Sequence, residues 1–192
     1  STLLVLTANN LLAPSNLVRA QAPPATLEGH VGAVASAAYS PDGQLLVSGS
    51  FDRTLKIWNA VSGAELRTLS GHTGQVLTVA VSPGGRQFAS GGRDNTVKLW
   101  DLYIPTPLQQ FAGHTGAVNV VLTNRTAPFW SASAGADKLI KLWDAEGKLL
   151  RDLTGHEAAV IRLAVKADGT QLASGDVEGV IHLWNPVDGV SL

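Results

Sequence analysis

The sequence predicts an all-β protein built from repeated antiparallel sheets, and three observations support this prediction. Gly-His pairs recur with a constant spacing of 42 residues and end at His30, His72, His114 and His156. A Trp followed by Asn or Asp recurs with nearly the same period, at Trp58, Trp100, Trp143 and Trp184. The residues between these markers form short apolar segments separated by turn residues, which indicate strands.

The first repeat shows how its four strands are predicted. An apolar stretch over 32–40 ends at the turn residues 41–43, and a second apolar stretch follows over 44–50. Residues 54–59 alternate in the two-residue period of a strand, and 64–69 supply a fourth short strand before the next Gly-His pair. Short strands with regularly spaced turns indicate a repeated antiparallel sheet, and no segment predicts a helix.

Composition narrows the possible functions. The 192 residues carry 14 Lys and Arg against 15 Asp and Glu, so no basic excess indicates nucleic acid as a partner. The absence of cysteine excludes disulfides, zinc–thiolate sites and cysteine nucleophiles. No apolar run approaches the roughly 18 residues of a membrane span. We therefore expect a soluble protein without membrane contact; the sequence does not fix its compartment, although it favours the cytoplasm over the periplasm.

The repeated segments resemble the WD40 family. The resemblance rests on Gly29-His30 and on four stretches that end in the Trp pairs: SGSFDRTLKIWN (48–59), ASGGRDNTVKLWD (89–101), ADKLIKLWD (136–144) and ASGDVEGVIHLWN (173–185). It implies a WD40-type β-propeller, in which each blade is a four-stranded antiparallel sheet beside a central channel. It also implies a platform for protein assembly with no chemistry of its own.

The expected organisation is an arc of four clear four-stranded blades with a degenerate partial blade before them. The four WD40 repeats are placed at about 29–70, 71–112, 113–154 and 155–192. Residues 1–28 are expected to form the partial blade, because LLVLTANN at 3–10 aligns with LLVSGSFD at 45–52. The alternative for 1–28 is an irregular linker that ends in one outer strand.

An arc of this kind leaves the apolar faces of its terminal blades uncovered. WD40 rings usually close with about seven or eight blades, so we expect this chain to be part of a larger ring. Two copies could complete that ring as a homodimer about a two-fold axis, or the chain could be a piece of a longer protein. Closure of the chain alone into a small ring is the third and less favoured alternative.

Each repeat also contains a His, a Ser, an acidic residue and a Trp at similar offsets. In the family that the repeats resemble, this quartet is a structural hydrogen-bond network, and such groups can satisfy one another when buried. The four predicted tetrads are His30, Ser48, Asp52 and Trp58; His72, Ser90, Asp94 and Trp100; His114, Ser133, Asp137 and Trp143; and His156, Ser174, Glu178 and Trp184.

Two of these repeats depart from the pattern. Repeat three has one extra residue between its His and its Trp, so counting back from Asp137 selects Ser133 and counting forward from the His points to Ser131. We expect a β-bulge in this strand, with Trp130 in the apolar position that Phe88 holds in repeat two. Repeat four carries Glu178 where the other repeats carry Asp.

A Ser-His-Asp hydrolase is the enzymatic alternative. A catalytic triad needs one exposed serine, an oxyanion hole and a substrate cleft. Four near-identical copies, each with a Trp attached, favour a scaffold instead, so no catalytic residue, metal ligand or cofactor is predicted. Lys56, Lys98, Lys141 and His182 stand two residues before each Trp and are interpreted as a further scaffold position.

The predicted function is a non-catalytic scaffold that binds other proteins or peptides. The resemblance places the turn with the tetrad Asp and the loop with Gly-His on one face of the propeller. Phe51 and Arg93 precede the Asp in two repeats, and aromatic and arginine side chains are typical interface anchors. Gln75 is the third candidate. The alternatives are packing across its own turn for Phe51 and a solvated charge for Arg93.

Overall fold

The computed structural model of the chain describes residues 26–124 and 130–192, which contain only strands and turns. Within this part of the chain, no helix is long and apolar enough to cross a membrane. The partial blade expected over 1–28 falls almost entirely outside the described residues.

The first two blades are four-stranded antiparallel sheets in which each strand pairs with the next one in sequence. Blade one consists of β1 (Val34–Tyr39), β2 (Leu45–Ser50), β3 (Leu55–Asn59) and β4 (Glu65–Leu69). Blade two consists of β5 (Val76–Val81), β6 (Gln87–Gly92), β7 (Val97–Asp101) and β8 (Gln109–Phe111).

Blade three has the same order, whereas blade four departs at its outer edge. Blade three consists of β9 (Val118–Thr123), β10 (Trp130–Gly135), β11 (Ile140–Asp144) and β12 (Leu149–Leu153). Blade four consists of β13 (Val160–Val165), β14 (Leu172–Asp176) and β15 (Ile181–Trp184). In place of a fourth strand, Ser191 forms a single bridge to Trp184, and the Leu192 N–H donates to the Leu183 carbonyl at 2.8 Å. Four blades are therefore present, but the fourth is a three-stranded sheet with one added bridge.

The extra residue of repeat three does not create a bulge of its own, so that expectation is wrong. Every blade has the same register shift between its first two strands, and in blade three it lies at Gly135. The extra residue instead lies between the bounds of the first two strands, because β9 ends at Thr123 and β10 begins at Trp130, whereas β5 ends at Val81 and β6 begins at Gln87. An added residue between two strands leaves their ladder of hydrogen bonds intact.

The expectation that Trp130 takes the apolar position of Phe88 is also wrong. Ser131 lies opposite Trp143, as Phe88 lies opposite Trp100 in blade two. Trp130 therefore lies one position earlier, opposite Asp144. The longer loop leaves the strand pairing unchanged, so Ser131 occupies the apolar position.

The core lies between neighbouring blades. Leu55 and Ile57 of blade one pack with Val76 and Phe88 of blade two, and equivalent clusters form between the later blades. Burial of each such side chain stabilises the fold by roughly 1.5–3 kcal/mol. The first strands of successive blades also lie side by side, and the Ser36 hydroxyl accepts a hydrogen bond from the N–H of the next blade's first strand. The blades thus follow one another around a common axis lined by their first strands.

Candidate functional site

The tetrad of blade two shows the geometry that recurs along the chain. His72 Nδ1 lies 2.8 Å from Asp94 Oδ2, and His72 Nε2 lies 2.7 Å from Ser90 Oγ. The indole N–H of Trp100 donates to the same hydroxyl at 2.8 Å. With an ionised Asp94, Nδ1–H donates to the carboxylate and Nε2 accepts the serine proton. Every polar group of this buried network then has a partner, which rigidifies the sheet.

Blades one and three repeat this arrangement. His30 lies 2.8 Å from both Asp52 and Ser48, and the indole N–H of Trp58 donates to Ser48 at 2.8 Å. In blade three the structure brings together His114, Ser133, Asp137 and Trp143. Ser133 Oγ, and not Ser131, contacts His114 Nε2 at 2.8 Å and accepts the indole N–H at 2.8 Å.

In blade four the acidic partner is Asp176, so the expectation for Glu178 is wrong. His156 Nδ1 lies 2.7 Å from Asp176 Oδ2, while its Nε2 lies 2.7 Å from Ser174 Oγ. The other carboxylate oxygen of Asp176 accepts the N–H groups of Glu178 and Val180 at 3.0 and 2.9 Å. Asp176 ends β14, so a short side chain from the strand end reaches the imidazole and also closes the turn.

Three of the tetrad carboxylates, those of Asp52, Asp94 and Asp176, have lowered pKa values. Burial opposes ionisation of Asp94, but hydrogen bonds from His72, Thr96 and the Thr73 N–H outweigh it, and the pKa of Asp94 lies well below its usual range. Burial acts the same way on Asp52, where hydrogen bonds from Thr54 and His30 depress the pKa further than burial raises it. Burial lowers the pKa of His114 below 6.5, despite the opposing charge of Asp137. The lowered pKa favours the neutral form of the His114 imidazole at neutral pH.

The hydrogen bonds of the tetrads hold the exposed turns in place, and the burial of the serines disfavours a catalytic role. Ser90 and Ser133 are fully buried, and Ser48 and Ser174 are nearly so, so none of these hydroxyls has the exposure that a catalytic serine needs. The Asp52 carboxylate also accepts the backbone N–H groups of Val31 and Thr54, which lie on the two adjoining loops. Each tetrad therefore ties the loop after Gly-His to the turn between the second and third strands.

The three candidate partner residues lie at the junction of blades one and two, on the face that the tetrads order. Phe51 is 40% exposed and Arg93 is exposed, each in the turn that carries its tetrad Asp. The Arg93 N–H donates to the Gln75 carbonyl at 2.8 Å. A Cβ added to Gly49 would lie 2.6 Å from the Val76 side chain, so the end of β2 closely approaches the strand that follows Gln75. We call Phe51, Gln75 and Arg93 the tetrad face.

Gln75 carries an unusual feature. Its side-chain carbonyl oxygen is buried, and no described residue donates a hydrogen bond to it. Ala33, Ala117 and Ala159 occupy the corresponding position in the other three blades. Sequence comparison of the repeats identifies Gln75 as the exception, but only the structure shows that its oxygen is unpartnered.

The repeated lysine position links strands within each blade. Lys56, Lys98 and Lys141 are buried, and their ammonium groups donate to Glu65, Gln110 and Asp152 of the outer strands. In blade four His182 takes this position, and its ring centroid lies 4.5 Å from that of His156. The described residues contain no group of three or more side chains arranged to hold a metal ion.

Four successive antiparallel blades, each with a His-Ser-Asp-Trp tetrad, define the class of protein as a β-propeller repeat protein. The family described as "WD domain, G-beta repeat" matches residues 21–59, 63–101, 105–144 and 147–185. Because these matches cover most of its residues, the chain belongs to the WD40 repeat family.

Individual relatives match over short stretches of 40 to 59 residues. The chain is 55% identical over 40 residues to Protein Mut11 of Chlamydomonas reinhardtii, covering 21% of this chain and 11% of that protein. It is 42% identical over 59 residues to apoptotic protease-activating factor 1 of Rattus norvegicus, covering 30% of this chain and 5% of that protein. It is 40% identical over 50 residues to the guanine nucleotide-binding protein subunit beta of Schizosaccharomyces pombe, covering 26% of this chain and 16% of that protein.

A solved structure matches over a longer stretch. The protein U3-55K superimposes with a TM-score of 0.79 at 25% identity, and the match covers 86% of this chain and 53% of that chain. The chain thus spans about half of this structural neighbour and a small part of the curated relatives that it matches.

Proposed function

We propose that the chain is a non-catalytic interaction platform that binds a protein or peptide through the tetrad face. WD40 repeats generally mediate contacts between proteins, and the chain belongs to that family. The observation that carries the proposal is the exposure of Phe51 and Arg93 in turns that the tetrad Asp carboxylates hold by hydrogen bonds. Aromatic and arginine side chains are typical interface anchors.

The tetrads support the proposal because they hold the contact turns in one conformation. Phe51 and Arg93 each adjoin an Asp whose carboxylate is bonded to an imidazole and to backbone N–H groups. Ordering an interface side chain costs roughly 0.5–1.5 kcal/mol, and a turn that is rigid before binding avoids part of that cost. The same bonds commit the tetrad serines to a structural role, which supports the proposal that the chain is not an enzyme.

Site-specific crosslinking followed by titration tests this function. A photoreactive phenylalanine at Phe51 should crosslink a partner, whereas the same group at Val61, in the turn at the opposite end of blade one, should not. The double substitution of Phe51 and Arg93 to Ala should weaken binding of the crosslinked partner at least tenfold. Val177→Ala, at the same turn position in blade four, is the matched control. Unchanged affinity in the double variant would place the contact elsewhere.

A serine-reactive fluorophosphonate tests the absence of catalysis. We expect no labelling of the folded chain, because the tetrad serines are buried. Labelling that disappears with Ser90→Ala would support the hydrolase alternative instead.

A second proposal concerns assembly, and the two ends of the arc support it. Val76, Val118 and Val160 are fully buried between blades, but Val34, at the same position of blade one, is 54% exposed. At the opposite end, Ile181 is 72% exposed, whereas Leu55, Val97 and Ile140 at the same position are buried. We propose that further blades cover both faces, supplied by a second copy or by the rest of a longer chain.

Light scattering on the 192-residue chain tests this assembly. A homodimer would have a mass near twice 20.0 kDa, and Ile181→Asp should reduce it to a monomer. Val61→Asp, in an exposed turn away from both faces, should leave the mass unchanged. A monomer whose Val34 and Ile181 amide signals are unaffected by concentration would exclude the second copy.

A further inference from the structure

A cavity of about 250 Å³ lies between blades two and three, at the end of the sheets opposite to the tetrad face. Ala89, Leu99 and Phe111 of blade two form its apolar wall, and Ser131 and Ala145 of blade three face them. An apolar cavity of about 150 Å³ is large enough to bind a benzene ring. This cavity can therefore hold an aromatic side chain.

The cavity exists because blade three lacks two large side chains that blade two supplies. The position of Ser131 is held by Phe88 in blade two, where the Phe88 ring is fully buried and stacks on Trp100 at 6.0 Å. The position of Ala145 is held by Leu102 in blade two, and Leu102 is buried against blade one. The side chains of Phe88 and Leu102 thus fill the interface between blades one and two. The interface between blades two and three instead has room for an apolar side chain of a partner.

The rim of the cavity also carries an unpaired charge. In blade two, Asp101 forms an ion pair with Arg86 at 2.7 Å. Asp144 is the corresponding residue of blade three and lines the cavity, yet its carboxylate accepts only the backbone N–H of Lys148, at 2.7 Å. No Lys or Arg of the described residues forms an ion pair with Asp144. The rim is therefore complementary to a cation.

We propose that this cavity is a second binding site, for a partner segment in which an aromatic residue stands next to Arg or Lys. The aromatic ring fills the space left by Ser131 and Ala145, and the basic group pairs with Asp144. This site is separate from the tetrad face and does not depend on the function proposed for it.

The probe for this site is the peptide acetyl-Gly-Phe-Arg-Gly-amide, titrated at millimolar concentration into the isotope-labelled chain. We expect saturable shifts in the signals of Trp130, Ser131 and Ala145, all of which line the cavity. Replacing Phe by Ala in the peptide should abolish these shifts. Replacing Arg by the neutral citrulline should weaken binding about fivefold, as expected for an ion pair at a surface.

Substitutions in the chain separate cavity binding from general effects. Ala145→Leu, alone or with Ser131→Phe, places the blade two side chains in the cavity and should weaken binding at least tenfold. Ala60→Leu makes the same change at the same position of blade one, away from the cavity, and should leave binding intact. Asp144→Asn should lower the affinity for the Arg peptide to that of the citrulline peptide. Phe51→Ala with Arg93→Ala should have no effect here.

Two outcomes would overturn the proposal. One is the absence of saturable shifts at millimolar peptide. The other is binding that survives Ala145→Leu while the variant remains folded.

Discussion

Ser133→Ala is the perturbation that most directly tests the tetrad geometry. The Ser133 hydroxyl is fully buried and joins His114 Nε2 to the Trp143 indole, with both contacts at 2.8 Å. Its loss leaves one buried acceptor and one buried donor without partners, at about 1–3 kcal/mol each. Because the two groups belong to one network, their costs do not add fully. We expect a total destabilisation of roughly 2–4 kcal/mol.

Ser131→Ala is the matched control, since it removes the same hydroxyl two residues earlier in the same strand. Ser131 is half-buried beside a cavity and belongs to no tetrad, so its substitution should change stability by no more than about 0.5 kcal/mol. Urea unfolding measures both variants. With a slope of about 2 kcal/mol per molar, Ser133→Ala should lower the midpoint by roughly 1–2 M.

Hydrogen exchange of the Trp143 indole N–H gives a local measurement that does not depend on global stability. That proton should be protected in the parent chain and in Ser131→Ala, and it should exchange faster in Ser133→Ala. Equal midpoints for the two alanine variants, or a larger effect from Ser131→Ala, would refute the assignment of Ser133 to the tetrad.

Three further predictions concern the acid of blade four, pH and close packing. Asp176→Asn should lower the urea midpoint clearly, because the carboxylate accepts hydrogen bonds from His156 and from two N–H groups of the turn. Glu178→Gln should leave the midpoint unchanged, and the reverse order would contradict the structure. The free energy of unfolding should fall as the pH drops below 6.5, because His114 takes up a proton at its ordinary pKa in the unfolded chain and at a lower pKa when buried. A urea midpoint that does not change with pH would contradict this. Gly49→Ala should lower the free energy of unfolding by about 1–3 kcal/mol, since its Cβ would lie 2.6 Å from the Val76 side chain of blade two. Gly175→Ala, at the same position of blade four, has open space around it and should not change stability measurably.

The repeat period made the blade architecture predictable from the sequence, and the prediction of a WD40 propeller arc is confirmed. Strand positions follow from markers that recur with one spacing, so an error in one repeat is corrected by the others. The fourth blade shows the limit of this reasoning. After Trp184 the chain makes one bridge at Ser191, and no regular period foretells how many hydrogen bonds a terminal edge forms.

The wrong assignment of Glu178 and the wrong location of the extra residue in repeat three have related physical causes. Alignment of the repeats by spacing makes Glu178 equivalent to Asp94. The backbone follows that alignment, since Gly179 has the same left-handed conformation as Asn95. What alignment cannot show is that Asp176, two residues earlier, reaches the imidazole from the strand end. Similarly, counting residues cannot locate the insertion of repeat three, because strands resist slippage and loops absorb added length.

The positions where the repeats differ identify the surfaces that the fold does not itself require. Tetrads, buried lysines and interface valines recur because each blade needs them to pack against its neighbour. Gln75 leaves a buried oxygen unpartnered where the other blades have alanine, and Ala145 leaves a cavity where blade two has leucine. Both departures cost stability in the isolated chain, and at the cavity a bound partner would recover that cost. A stabilising effect of Ala145→Leu on the isolated chain, combined with loss of peptide binding, would establish this trade-off directly.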